Sequence, residues 1–95
     1  MSVINYSNSI VEIVNNPFSA LCKLKIKPVQ VELGWLFLYN IHGEMVLEQQ
    51  IQLNKDEQEF ILPTSYLKNG AYSLHFKTQH SKLFIVLPLQ KTSFS

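Results

Sequence analysis

The sequence has little cysteine, glycine or net charge, and each shortage excludes a class of protein. The single cysteine, Cys22, cannot form an internal disulfide or build a cysteine-ligated metal site. Eight basic side chains against seven acidic ones leave a formal net charge of +1, which is too small for the broad positive field that draws proteins to nucleic acid. The three glycines lie far apart and form no phosphate-binding loop. We therefore expect no nucleic-acid partner and no nucleotide-type cofactor site.

Long hydrophobic runs are also missing. No apolar stretch approaches the roughly 20 residues that a helix needs to cross a bilayer. The first 14 residues have neither the basic start nor the continuous apolar stretch of a signal peptide. We expect no membrane insertion, and we expect any export signal to lie on a larger precursor.

The apolar residues that are present alternate over short segments, which is the pattern of β-strands. Between Ala20 and Lys27, one face carries Ala20, Cys22, Leu24 and Ile26, and the other carries Lys23, Lys25 and Lys27. This predicts a half-buried strand with solvated lysines. Further strands are predicted at residues 10–14, 31–40, 45–53, 59–62, 71–78 and 83–87, with glycine turns at Gly43 and Gly70. Pro88 is expected to end the last strand.

Seven short strands with no helical period predict one domain that spans residues 1–95. Its expected fold is all-β, an immunoglobulin/fibronectin-like antiparallel β-sandwich of about seven strands. The ordered core is predicted at about residues 10–88 and a frayed tail at residues 89–95.

No group of side chains has the spacing of a catalytic or metal site. His42, His75 and His80 are the residues best suited to metal binding or base catalysis, but nothing in their spacing makes them converge. No serine, threonine or cysteine has the sequence context of an activated nucleophile. The sequence therefore predicts a protein that is not an enzyme, with no catalytic residue, metal site or cofactor.

Aromatic side chains are the features that allow more than one interpretation. Trp35, Phe37 and Tyr39 share one face of the third predicted strand. They could pack in the core or beneath a neighbouring domain, or they could form an exposed face that binds sugars or a protein partner. Tyr72 is expected to pack its ring under the preceding loop while its hydroxyl bonds a backbone group, as in a tyrosine corner.

Three stretches, taken in order, resemble one family. Residues 14–18 (VNNPF) resemble a "YPNPF" opening, residues 38–46 (LYNIHGEMV) an "LYDxxGkxV" hairpin, and residues 67–76 (LKNGAYSLHF) an "LxxGxYxLxi" close. Each motif alone is weak, and their order and spacing carry the likeness. The chain is similar to the C-terminal sorting domain of the type IX secretion system of Gram-negative bacteria. This resemblance implies an immunoglobulin-like β-sandwich at the end of a secreted protein.

The resemblance also implies which residues form the motifs and what the domain does. By position, the motif residues are Asn16, Pro17, Tyr39, Gly43, Leu67, Gly70 and Tyr72, and Asn40 stands where the family's hairpin has aspartate. The implied function is a non-catalytic sorting domain that directs or anchors a secreted protein at the bacterial outer membrane. The implied partner is a protein of the secretion machinery or the cargo domain, and the implied location is secreted, cell-surface or periplasmic. An adhesion or carbohydrate- or protein-binding module is the alternative, and a homodimer through an edge strand stays open.

Overall fold

The computed structural model describes residues 10–14 and 21–92, and within these ranges every regular element is a β-strand. The strands are β1 (Val11–Ile13), β2 (Leu21–Ile26), β3 (Glu32–Tyr39), β4 (Met45–Leu53), β5 (Gln58–Pro63), β6 (Gly70–Thr78) and β7 (Phe84–Lys91). No helix in these ranges is long and apolar enough to cross a membrane. The motif residues Asn16 and Pro17 lie outside the described residues.

The strands form two antiparallel sheets, one with the order β1-β2-β5 and one with the order β4-β3-β6-β7. Buried side chains from both sheets belong to one hydrophobic core, so the sheets pack face to face. This confirms the predicted antiparallel β-sandwich of seven strands.

The core follows from the alternation of apolar residues along each strand. In β2, Cys22, Leu24 and Ile26 point inward and are fully buried, while the lysines between them are exposed as predicted. From the four-stranded sheet, Leu38 and Phe76 are among the side chains that cover them. Because inward and outward positions alternate strictly in β2 and β3, a slip of one residue in either strand would expose its apolar set.

The last strand is longer than the sequence predicted. Strand β7 continues through Pro88 to Lys91, so the expected strand end at Pro88 is wrong. Pro88 is tolerated because β7 is an edge strand, where a missing N–H can face away from the neighbouring strand. The inward alternation of Leu87, Leu89 and Lys91 continues past it, and all three side chains are buried.

The two glycine turns differ in what they connect. Gly43, with φ of 78°, lies in the hairpin that joins the paired strands β3 and β4. Gly70, with φ of 145°, begins β6 after a loop that crosses from one sheet to the other, because β5 and β6 belong to different sheets. Both glycines have the positive φ that was predicted, but only the first closes a hairpin.

Strand β4 forms one edge of the four-stranded sheet, and two of its carbonyls are bonded by side chains from elsewhere in the chain. The Tyr66 hydroxyl donates to the Val46 carbonyl at 3.0 Å. The Gln58 amide donates to the Gln52 carbonyl at 3.1 Å. These contacts occupy acceptors near both ends of an edge that could otherwise pair with another strand.

Candidate functional site

The β3–β4 hairpin and the loop before β6 meet at one end of the sandwich and enclose a cleft of about 420 Å³. Residues from 40–46 line one side and residues 66–72 line the other. They come together because β3 pairs with both β4 and β6, which places Tyr39 opposite both Met45 and Ser73. Two segments separated by about twenty residues of sequence therefore form a single surface.

Asn40 holds the hairpin wall of the cleft in shape. Its Oδ1 accepts hydrogen bonds from the backbone N–H groups of His42 at 2.9 Å and Glu44 at 3.0 Å. Its Nδ2 donates to the Glu44 carboxylate at 2.9 Å. A side-chain oxygen that accepts from the residues after it is the basis of an Asx turn, and aspartate could serve the same two N–H groups. Asparagine at this motif position therefore keeps the acceptor that the turn needs.

The opposite wall is fixed by two tyrosines. The Tyr72 hydroxyl donates to the Lys68 carbonyl at 2.6 Å, and its ring is buried against the core. This hydrogen bond to a backbone group four residues upstream confirms the predicted tyrosine corner. Tyr66 joins the two walls, because its hydroxyl reaches the Val46 carbonyl of β4.

The structure brings some of the predicted motif residues together and separates others. Leu67, Gly70 and Tyr72 line the cleft directly, and Gly43 belongs to the turn that forms its other wall. Tyr39 points to the outer face of the sheet, where its ring lies 4.4 Å from the His75 ring between centroids.

The aromatic row of β3 lies on the outer face of the four-stranded sheet, not in the core. Trp35, Phe37 and Tyr39 are each half-buried. Trp35 and Phe37 line a separate groove of about 530 Å³ toward the β6–β7 turn, with Phe84 at its side. The row is therefore open to solvent within the described residues, and the core-packing interpretation does not hold.

Sequence reasoning missed Glu32, the first residue of β3. Its carboxylate accepts from the backbone N–H groups of His80 at 2.7 Å and Ser81 at 2.9 Å, and from the Ser81 hydroxyl at 2.6 Å. Burial alone would raise the pKa of Glu32, but these hydrogen bonds, with one from Gln30, outweigh it and lower the pKa. The available signal was the alternation of β3, which places Glu32 on the same inward face as Leu36 and Leu38.

The other titratable candidates are dispersed or inert. Among the described residues, no group of three histidine, cysteine, aspartate or glutamate side chains is placed to hold a metal ion. His75 lies on the outer sheet face as expected, with Nε2 at 3.1 Å from the Ser73 hydroxyl. Cys22 is fully buried, and burial raises the pKa of its thiol to about 11, so it stays protonated and unreactive at neutral pH.

The hairpin after β3 and the loop before β6 thus meet at one end of the β-sandwich. The family model described as "Secretion system C-terminal sorting domain" matches residues 6–86. Because this match covers most of the chain, the protein belongs to that family, and it is a C-terminal sorting domain for type IX secretion. No curated protein and no solved structure shows significant similarity to the chain. Domains of this family serve as sorting signals and not as catalysts.

Proposed function

We propose that the domain directs its cargo across the bacterial outer membrane by presenting the motif cleft to a protein of the type IX secretion machinery. The observation that supports this is the convergence of two family motifs on opposite walls of one cleft. A surface built jointly by both motifs explains why sorting would require them in a fixed order and spacing. The carried-over positions Leu67, Gly70 and Tyr72 then act by shaping this surface.

The rim of the cleft has the character of a protein-docking surface. The side chains of Ile41 and Tyr66 are 73% and 64% exposed, although both are large and apolar. Exposed apolar side chains at the edge of a cleft are typical of sites that a protein partner covers. His42, Glu44 and Lys68 add polar groups around them, which suits specific rather than general adhesion.

The cargo is proposed to follow a route with two steps. The cargo reaches the periplasm through a signal on the larger precursor and is then released or anchored at the cell surface. We favour recognition of a single copy over pairing of two copies through an edge strand. Tyr66 and Gln58 bond carbonyls of edge strand β4, and edge strand β7 contains Pro88.

Export of a fused reporter tests the proposal. Residues 1–95 are placed behind a signal peptide and a reporter in a host that has the type IX machinery, beside the same reporter fused to a well-behaved family domain. The reporter is expected at the cell surface or in the medium. Retention in the periplasm, while the reference domain exports its reporter, would refute the sorting function.

A pair of matched variants tests the cleft itself. Ile41→Ser removes an exposed apolar side chain from the rim, and Ile61→Ser removes one from the outer face of the three-stranded sheet, where the side chain is 46% exposed. Both variants are expected to fold, as checked by thermal unfolding, and only Ile41→Ser is expected to reduce export. Equal export of the two variants would show that the machinery reads another surface.

A further inference from the structure

A second surface lies on the outer face of the four-stranded sheet, at the end opposite the motif cleft. The groove there has a volume of about 530 Å³. Its sheet contribution is a row across three strands, because Lys77 of β6 lies between Trp35 of β3 and Phe84 of β7 in the strand register. Lys82 and Gln79 from the β6–β7 turn complete one side, and Glu48 of β4 lies on the other.

Lys82 is held over this groove in an unusual backbone conformation. Its φ is 62°, the left-handed region that residues other than glycine and asparagine seldom adopt. The turn is fixed on one side by the contacts of His80 and Ser81 with the Glu32 carboxylate. On the other side, the Thr78 hydroxyl accepts from the Leu83 backbone N–H at 2.9 Å. Residues held in such conformations cluster at functional positions, ligand-binding sites among them.

The groove has an excess of positive charge that its own side chains do not neutralise. Within residues 10–14 and 21–92, neither Lys77 nor Lys82 has an ion-pair or side-chain hydrogen-bond partner. Of the described residues that line the groove, Glu48 alone is acidic. A ligand that carries an anionic group would therefore find two ammonium donors beside the half-buried ring of Trp35 and the exposed ring of Phe84.

The position on a sheet face favours a sugar over a peptide. Strands β3 and β6 are central strands, so their backbone groups are already used in pairing with neighbours on both sides. A peptide lying flat over Trp35 of β3 and Lys77 of β6 would find no free backbone partners on these two strands for its own amides. A sugar ring can place its C–H face on the aromatic rings and direct its hydroxyls to Gln79 and Glu48.

We propose that this groove binds an acidic oligosaccharide, with sugar rings on Trp35 and Phe84 and a carboxylate between Lys77 and Lys82. Part of the possible binding face predicted from the sequence (Trp35, Phe37 and Tyr39) thereby receives a specific class of ligand, an acidic sugar. It involves none of the side chains that line the motif cleft, so it stands independently of the proposed sorting function.

Trp35 is the sole tryptophan of the chain and reports directly on the groove. Its emission is followed while the protein is titrated with trigalacturonate, with the neutral galactotriose, and with a hexaglutamate peptide. Trigalacturonate is expected to change the emission with saturation. Galactotriose is expected to bind at least about tenfold more weakly, since it lacks the carboxylate and one charge-assisted contact contributes about that factor. Hexaglutamate is also expected to bind at least about tenfold more weakly, since it has no sugar ring to lie on Trp35 and Phe84.

Two double variants, each lacking two lysines, distinguish specific binding in the groove from non-specific electrostatic attraction of the sugar to the protein. Lys77→Gln/Lys82→Gln is expected to weaken trigalacturonate binding by at least about tenfold. Lys25→Gln/Lys27→Gln removes the same charge from the opposite sheet and is expected to leave binding within about twofold of the parent. Urea unfolding of both variants establishes that they fold.

Four results would overturn the proposal. One is unchanged Trp35 emission at millimolar trigalacturonate, and a second is equal binding of galactotriose. A third is hexaglutamate binding as tight as that of trigalacturonate, which would assign the groove to an acidic peptide. The fourth is an equal loss of affinity in both double variants, which would reduce the effect to non-specific charge.

Discussion

Substitution of Glu32 by glutamine tests how the β6–β7 turn is fixed to the sandwich. The Glu32 carboxylate accepts three hydrogen bonds, from the N–H groups of His80 and Ser81 and from the Ser81 hydroxyl. Glutamine keeps the shape but replaces one acceptor oxygen with an amide donor that faces these donors. A hydrogen bond to a charged group contributes about 1.5–3 kcal/mol. Because Glu32 lies at the start of a strand rather than at the centre of the core, we expect a loss of about 2 kcal/mol in the free energy of unfolding.

The stability lost in Glu32→Gln is expected to depend on pH. The pKa of Glu32 is lowered from its ordinary value of 4.5 in the folded protein, because its hydrogen bonds outweigh the effect of burial. A carboxyl group of this kind contributes stability above its unfolded pKa and loses that contribution as the pH falls through its folded pKa. The difference in unfolding free energy between the parent and Glu32→Gln should therefore be full at about pH 7 and shrink toward about pH 3.

Urea unfolding at both pH values, followed by Trp35 emission, measures this difference. Glu59→Gln is the matched control, because Glu59 is an exposed carboxylate on the other sheet. Titration of the remaining carboxylates is common to all three proteins and cancels in the comparison. The reasoning is refuted if Glu32→Gln lowers the free energy of unfolding no more than Glu59→Gln does. It is also refuted if the loss caused by Glu32→Gln is the same at both pH values.

Four further predictions concern single contacts. Gly70→Val should lower the free energy of unfolding by about 1–3 kcal/mol, seen as a lower Tm, because φ of 145° is strained for a β-branched residue. Steric contact adds nothing, since no atom lies within 4 Å of the added Cβ, and an unchanged Tm would contradict that conformation. Tyr72→Phe should lower the free energy of unfolding by about 1 kcal/mol through loss of the bond to the Lys68 carbonyl, and no loss would mean that water replaces it fully. Asn40→Ala should lower the free energy of unfolding, measured with urea, by about 1 kcal/mol, and Asn40→Asp should lower it less, because only aspartate keeps the acceptor for the turn. Equal losses in the two variants would contradict this role of Asn40. Cys22 should react with a thiol reagent far more slowly in the folded than in the urea-unfolded protein, since the buried thiol has a raised pKa, and equal rates would refute its burial.

Most strands could be predicted from the sequence because alternation of apolar residues is a local signal. Strand β2 shows this best, since Cys22, Leu24 and Ile26 are buried and the lysines between them are exposed. The same reasoning wrongly ended the last strand at Pro88, because proline interrupts a central strand but is tolerated in an edge strand. Whether β7 is an edge strand depends on the pairing of all four strands, which no local pattern reveals.

The candidate site was less accessible to sequence reasoning than the fold. The sequence located the glycine turns and the tyrosine corner, because each depends on neighbouring residues. It did not reveal that the segments around Asn40 and Leu67 form one cleft, since that follows from the pairing of β3 with both β4 and β6. Glu32 was missed for a similar reason, because its partners His80 and Ser81 are 48 and 49 residues away.

The side-chain bonds along β4 have a consequence for how the domain behaves at high concentration. An open strand edge of one molecule can recruit the same edge of another copy when the two come close together. Tyr66 and Gln58 occupy acceptors near the two ends of that edge, which shortens the stretch that is open to pairing with another strand. A shorter open edge favours a domain that stays a single copy when many copies are close together.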